Sequence, residues 1–155
     1  MNKPKMGIYA GSFSPFTIGH LDIVKQAMPI FDKVLVAQGI NPEKLSNGIM
    51  LKYPLPVRFL TSLGPEVYST VYDTLLTDLI KTWESECEVT LVRGLRNGAD
   101  LEYEQNIVAF LKGMYPQIQV VAFYCDPKFR HISSSALRGI QKFSEDEYKK
   151  YVISD

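Results

Sequence analysis

The chain has 155 residues, 46% of them hydrophobic, and balances 17 Lys+Arg against 17 Asp+Glu. That length supports one domain with a sizeable core and falls short of two, so a single domain over 1–155 is expected. Zero net charge excludes the broad basic footprint of a nucleic-acid binder, and any polyanion must be met locally. No apolar run approaches the ~18 residues of a membrane span. The opening Met1-Asn2-Lys3-Pro4-Lys5 lacks a signal-type apolar stretch. No membrane partner and a cytoplasmic location are therefore expected. Cys87 and Cys125 stand far apart, without companion histidines at metal-ligand spacing, and read as buried free thiols.

In chain order, the first strand is expected over Met6–Ala10, followed by a helix carrying Leu21, Val24, Met28 and Phe31 at helical spacing, with Pro29 as a possible kink. A second strand spans Lys33–Ile40. Asn41–Pro56, with three prolines and Gly48, reads as an irregular loop folded over a site. Val67–Tyr72 supplies a further strand, and Leu75, Leu76, Leu79 and Ile80 a helical stripe. Glu88–Val92 is a strand, and Leu101, Ile107, Val108 and Leu111 form a stripe that Gly113 is expected to end. After the strand Ile118–Tyr124, one short helix follows Ser133–Ser135 and another the capping-box spacing of Ser144–Glu147. The strands are nearly continuous in apolarity, as strands covered on both faces are. Alternating with helices, they predict an α/β, doubly wound (Rossmann-like) parallel five-stranded sheet with helices on both faces.

Ligands bind such sheets at the carboxyl ends of the strands, and three polar clusters fall there. The run Gly11-Ser12-Phe13-Ser14-Pro15-Phe16-Thr17-Ile18-Gly19-His20 passes from a strand into a helix start, where unpaired N–H groups and the macrodipole favour anions. His20 adds a donor there, and Gly19 omits a Cβ that would hold a ligand off the backbone. Arg93-Gly94-Leu95-Arg96, after Val92, can turn two guanidinium forks toward one polyanion. Ser133, Ser134 and Ser135 offer a nest of donors. Each cluster has a plain alternative, a solvated turn for the arginines and an ordinary N-cap for the serines, and their joint occurrence carries the argument. Lys44, just past the second strand, can reach the same rim.

These residues together resemble the phosphopantetheine adenylyltransferase family, within the nucleotidyltransferases that carry a (His/Thr)-x-Gly-His signature. The resemblance runs through the opening motif to His20, Phe31-Asp32-Lys33-Val34, Asn41-Pro42-Glu43-Lys44, Arg93–Arg96 with Asp100-Leu101-Glu102-Tyr103-Glu104, and Ile132–Ser135. It implies transfer of AMP from ATP to 4′-phosphopantetheine, giving 3′-dephospho-coenzyme A and pyrophosphate. It implies His20 as the transition-state stabiliser, with Lys44 and Arg93 as catalytic partners. Ser12, Lys44, Leu75, Leu76 and Arg93 would hold the acceptor. Ser12, Phe13, His20, Gly94, Leu95, Arg96, Glu104, Phe129, Arg130, His131, Ile132, Ser133, Ser134 and Ser135 would hold ATP. Mg²⁺ would travel with ATP without a dedicated protein site, and a homohexamer with coenzyme A as feedback inhibitor is implied as well.

Three features depart from the family pattern. Ser14 stands where Asp is usual, Arg130-His131 precede Ile132, and the stretch between Lys44 and Val67 is foreign. Two alternatives remain at this point: an adenylyltransferase acting on another phosphorylated acceptor such as nicotinamide mononucleotide, and a non-catalytic nucleotide-binding regulator on the same fold.

Overall fold

The computed structural model describes residues 2–155. Strand β1 (Lys5–Gly11) is buried from Met6 to Ala10 and leads through the His20 motif into helix α1 (Ile18–Ala27). Strand β2 (Lys33–Gly39) follows, then three short helices, α2 (Pro42–Ser46), α3 (Ile49–Lys52) and α4 (Val57–Ser62). Strand β3 (Val67–Tyr72), helix α5 (Leu76–Trp83), strand β4 (Glu88–Leu95) and helix α6 (Gly98–Met114) come next. Strand β5 (Gln119–Tyr124), a 3-10 turn at Pro127–Phe129, and helices α7 (Ser134–Gln141) and α8 (Glu145–Lys149) complete the order.

All four strand pairings are parallel, in the order β3-β2-β1-β4-β5. The central strand β1 sets Ile8 opposite Leu35 on one side and Leu91 on the other. Because side chains alternate across a strand, each face receives its own core. Met6, Ile8, Leu35 and Leu91 pack with Ile80 of α5 and Leu111 of α6. Tyr9, Val34, Val36 and Val92 pack with Ile23, Val24 and Ala27 of α1. The expected doubly wound sheet is observed. The chain leaves β1 toward β2 and later returns to its other side as β4, so a crevice opens between the carboxyl ends of β1 and β4.

Four local expectations are corrected. Asn41–Pro56 is largely helical, because the Asn41 side chain accepts the Glu43 and Lys44 N–H groups at 3.0 and 3.4 Å and Pro42 takes the first turn. Gly48, at φ +79°, then ends one helix and starts the next. Strand β4 runs past Val92 to Leu95, since Arg93, Gly94 and Leu95 keep pairing with Ala122, Phe123 and Tyr124. Pro29 lies beyond the end of α1 and kinks nothing, and α6 passes through Gly113 to Met114. Helix α4 lacked a clear sequence stripe; Leu60 is its one fully buried residue.

The C-terminal tail braces the opening motif. Ile18 N–H donates to the Tyr151 carbonyl at 2.9 Å and Ile153 N–H to the Phe16 carbonyl at 3.0 Å, with a bridge between Thr17 and Val152. Cys87 and Cys125 are both buried and free, as expected. Among the described residues no helix is long and apolar enough to cross a membrane.

Candidate active site

The crevice is a cleft of about 510 Å³ whose lining includes Ser12, Phe13, His20, Lys44, Arg93, Gly94, Leu95, Arg96, Glu104, Phe129, Ile132, Ser133, Ser134 and Ser135. The three polar clusters, some 120 residues apart in sequence, thus share one space. Leu75, Leu76, Arg130 and His131 do not line it. Leu75 is exposed at the start of α5, Leu76 packs against the Ile80 core, and Arg130 and His131 face solvent.

His20 is the third residue of α1, and its ring folds back on the helix start. Thr17 N–H donates to His20 Nδ1 at 2.9 Å, and His20 N–H donates to Thr17 Oγ1 at 3.2 Å. This is a capping box in which imidazole replaces the usual Glu or Gln, and it is the physical content of the Thr-x-Gly-His spacing. Because Nδ1 accepts a hydrogen bond, a neutral ring carries its proton on Nε2, the nitrogen left for a ligand. Phe13 meets the ring edge-on at 5.0 Å and Phe16 lies at 5.4 Å. Burial in this aromatic setting, aided by the Arg96 and Lys44 charges, pushes His20 down to about 3. The residue is a neutral N–H donor at physiological pH. A Cβ on Gly19 would make only an ordinary contact, 3.4 Å from Thr17 Oγ1, so packing within the protein does not itself demand the glycine.

Phe13 holds φ at +44°, a costly conformation for an aromatic residue that its packing against Tyr9, Phe16 and His20 maintains. Ser14 is fully buried and its hydroxyl donates to the Ser12 carbonyl at 2.9 Å. A second donor, Gln38 Nε2, reaches the same carbonyl at 2.9 Å. Serine therefore ties the turn as a donor, a bond that an ionised Asp could not make to a carbonyl, and places no charge in the core.

Arg93 and Glu104 form a bidentate pair, with Nε to Oε2 at 2.6 Å and Nη2 to Oε1 at 2.7 Å, while Nη1 donates to the Ala10 carbonyl at 3.0 Å. Glu104 thus faces Arg93, and two of the five guanidinium N–H groups stay unspent. Arg96 is held in the same manner by Asp100. Lys44 and Arg138 also line the cleft, and among the described residues no carboxylate forms an ion pair with either. Burial, then the nearby Arg138 charge, lowers the Lys44 pKa, which an arriving anion would reverse. Ser133 caps α7 by accepting the Ala136 N–H at 3.1 Å, and Ser134 Oγ donates to the Pro15 carbonyl at 2.8 Å, docking this helix start beside that of α1.

Sequence reasoning left out Arg138 and Asp100, which line the cleft, and the buried Gln38, which supports the opening loop from behind through the Ser12 carbonyl. Arg138 and Asp100 carried a weak signal, a basic residue after the serines and an acid four residues after Arg96. Gln38 carried none, being one polar letter in an apolar strand.

Residues 8–140 match the family model described as cytidylyltransferase-like. The chain is 35% identical over 148 residues to a phosphopantetheine adenylyltransferase of Streptococcus pneumoniae, covering 92% of this chain and 86% of that one. It is 36% identical over 143 residues to the phosphopantetheine adenylyltransferase of Cytophaga hutchinsonii, covering 92% and 93%. Among solved structures, it is similar to the Plasmodium falciparum nicotinic acid mononucleotide adenylyltransferase complexed with NaAD, at a TM-score of 0.54 and 18% identity over 96% of this chain and 90% of that one. That likeness is one of fold.

Proposed function

The chain belongs to the cytidylyltransferase-like family and, within it, to the phosphopantetheine adenylyltransferases; on that premise we propose that it transfers the adenylyl group of ATP to 4′-phosphopantetheine. A phosphate oxygen of the acceptor attacks the α-phosphorus, the bond from that phosphorus to the bridging oxygen of the β-phosphate breaks, and pyrophosphate leaves. The nucleophile is already an anion, so no strong base or covalent intermediate is required. Positioning and charge stabilisation then carry the rate.

The observation that supports this most is the pinned His20 ring. A neutral donor fixed by Thr17 needs no reorganisation as charge builds on the phosphoryl oxygens. Lys44 and Arg93 would hold the acceptor phosphate on one side, and Arg96 with the α7 start the triphosphate on the other. Mg²⁺ would arrive on ATP. Asp100 and Glu104, the carboxylates of the cleft lining, are engaged by arginines, so phosphate oxygens and water would supply its ligands. Leu75 and Leu76, away from the cleft lining, have only the family resemblance behind them as acceptor contacts.

The family resemblance also carries a cytoplasmic homohexamer with coenzyme A as feedback inhibitor. Helix α6 exposes Leu101, Phe110 and Met114, which an assembly would cover. Pyrophosphate release from ATP in the presence of phosphopantetheine tests the proposal. Turnover with nicotinamide mononucleotide but not phosphopantetheine would remove the acceptor assignment, and no turnover with either would favour a non-catalytic role.

A further inference from the structure

Asp100 has no role in the scheme above, yet its carboxylate takes three N–H groups from one residue. Arg96 donates its backbone N–H at 3.0 Å and its Nε–H at 2.9 Å to Oδ2, and an Nη2–H at 3.1 Å to Oδ1. The acid is itself fixed, because its backbone N–H donates to the Asn97 side chain at 2.9 Å, the cap of α6. On the far side, Arg96 Nη1 donates to the Ile132 carbonyl at 3.3 Å, one residue before the cap of α7. Partial burial would raise the Asp100 pKa, and the Arg96 hydrogen bonds outweigh it, so the carboxyl is held below its usual range and stays ionised.

Of the five guanidinium N–H groups of Arg96, three are spent on Asp100 and Ile132, which leaves one on each Nη. We infer that Asp100 is a positioning residue for adenylyl transfer, holding Arg96 in one rotamer so that ATP meets a fork already in place. The role rests on the proposed function. It also sets two physical effects against each other. Removing a carboxylate from the cleft makes it more positive, which by Coulomb attraction alone would tighten binding of a polyanion. Freeing a long side chain that must then be ordered on binding weakens it. Fixed geometry wins if Arg96 recognises phosphate through its planar fork, and charge wins if it acts as a diffuse cation.

The test measures ATP binding by calorimetry, without acceptor, for the wild type, Asp100→Asn, Arg96→Ala and the double variant. Asparagine keeps an oxygen for the Arg96 backbone N–H and removes the ion pair. Asp100→Asn is expected to weaken ATP binding about tenfold, and less than twofold when Arg96 is already alanine. Tighter or unchanged binding in Asp100→Asn, or the same loss in both backgrounds, overturns the inference. A second readout needs no altered carboxylate: the Arg96 Nε–H resonance, assigned by its loss in Arg96→Lys, should exchange slowly with water in the ligand-free wild type. Fast exchange overturns the inference even if the Asn variant does not fold. Wild-type protein that binds no ATP sinks the proposed function and this role with it, whereas ATP binding insensitive to Asp100→Asn sinks the role alone.

Discussion

Protonating His20 is the perturbation on which the site reading depends most directly. A free imidazole takes its proton near 6.5, and the folded chain delays this to about 3. Nδ1 is occupied by the Thr17 N–H, so a proton there would confront a donor with a donor and orphan a backbone amide. Between these two pH values the unfolded chain binds the extra proton and the folded one does not. Stability is therefore unaffected above about pH 6.5 and falls as pH drops through that window. A shift of this size corresponds to roughly 4–5 kcal/mol once pH reaches the lower end. The assay is an NMR titration of the imidazole carbons. The chain has two histidines, and a His131→Gln variant leaves His20 alone in the spectrum. Nitrogen shifts should report the Nε2–H tautomer at neutral pH, and denaturant midpoints should fall from pH 6.5 to 4. Glutamine at position 20 can keep the capping-box acceptor while removing the titration, so His20→Gln should flatten that part of the profile. A His20 midpoint at or above 6.5, or an Nδ1–H tautomer, would refute the reasoning.

Other outcomes follow from the same geometry. His20→Ala should lower kcat by about 10²–10³ while ATP affinity changes much less, because the donor matters chiefly in the transition state; stopped-time turnover and equilibrium ATP binding separate the two, and an equal loss in both counts against the role. Lys44→Ala should raise the acceptor KM about tenfold or more with little effect on ATP, as expected for one lost charged hydrogen bond; unchanged acceptor kinetics would take Lys44 out of the site. Ser14→Ala should cost about 1 kcal/mol in urea unfolding, since the Ser12 carbonyl keeps Gln38 as a donor. Gly7→Ala should cost about 1–3 kcal/mol, because the new Cβ would lie 2.6 Å from the Phe31 ring, and Phe31→Leu should restore part of it; a neutral Gly7→Ala would mean that the ring moves freely.

Local chemistry made much of this protein legible from its letters. The apolar runs around Ile8, Leu35 and Leu91 read as strands buried on both faces, as they are, whereas the run around Val120 forms a partly exposed edge strand; their alternation with helical stripes pointed to a doubly wound parallel sheet. Thr17, Gly19 and His20 marked an anion-ready helix start, because capping and backbone approach are decided within four residues. Tertiary structure decided what depends on residues remote in sequence. No spacing could reveal that Arg93 spends itself on Glu104 and Ala10, that Gln38 and Arg138 reach the opening loop, or that the tail at Tyr151–Ile153 braces it. The extent of β4 was likewise decided by its partner: Arg93 to Leu95 look like a polar turn alone and become strand because β5 offers them hydrogen bonds. Sequence determined which groups could meet a phosphate. Only the packed fold decided which of their donors remain free to do so, since each hydrogen bond made inside the protein is one withdrawn from the ligand.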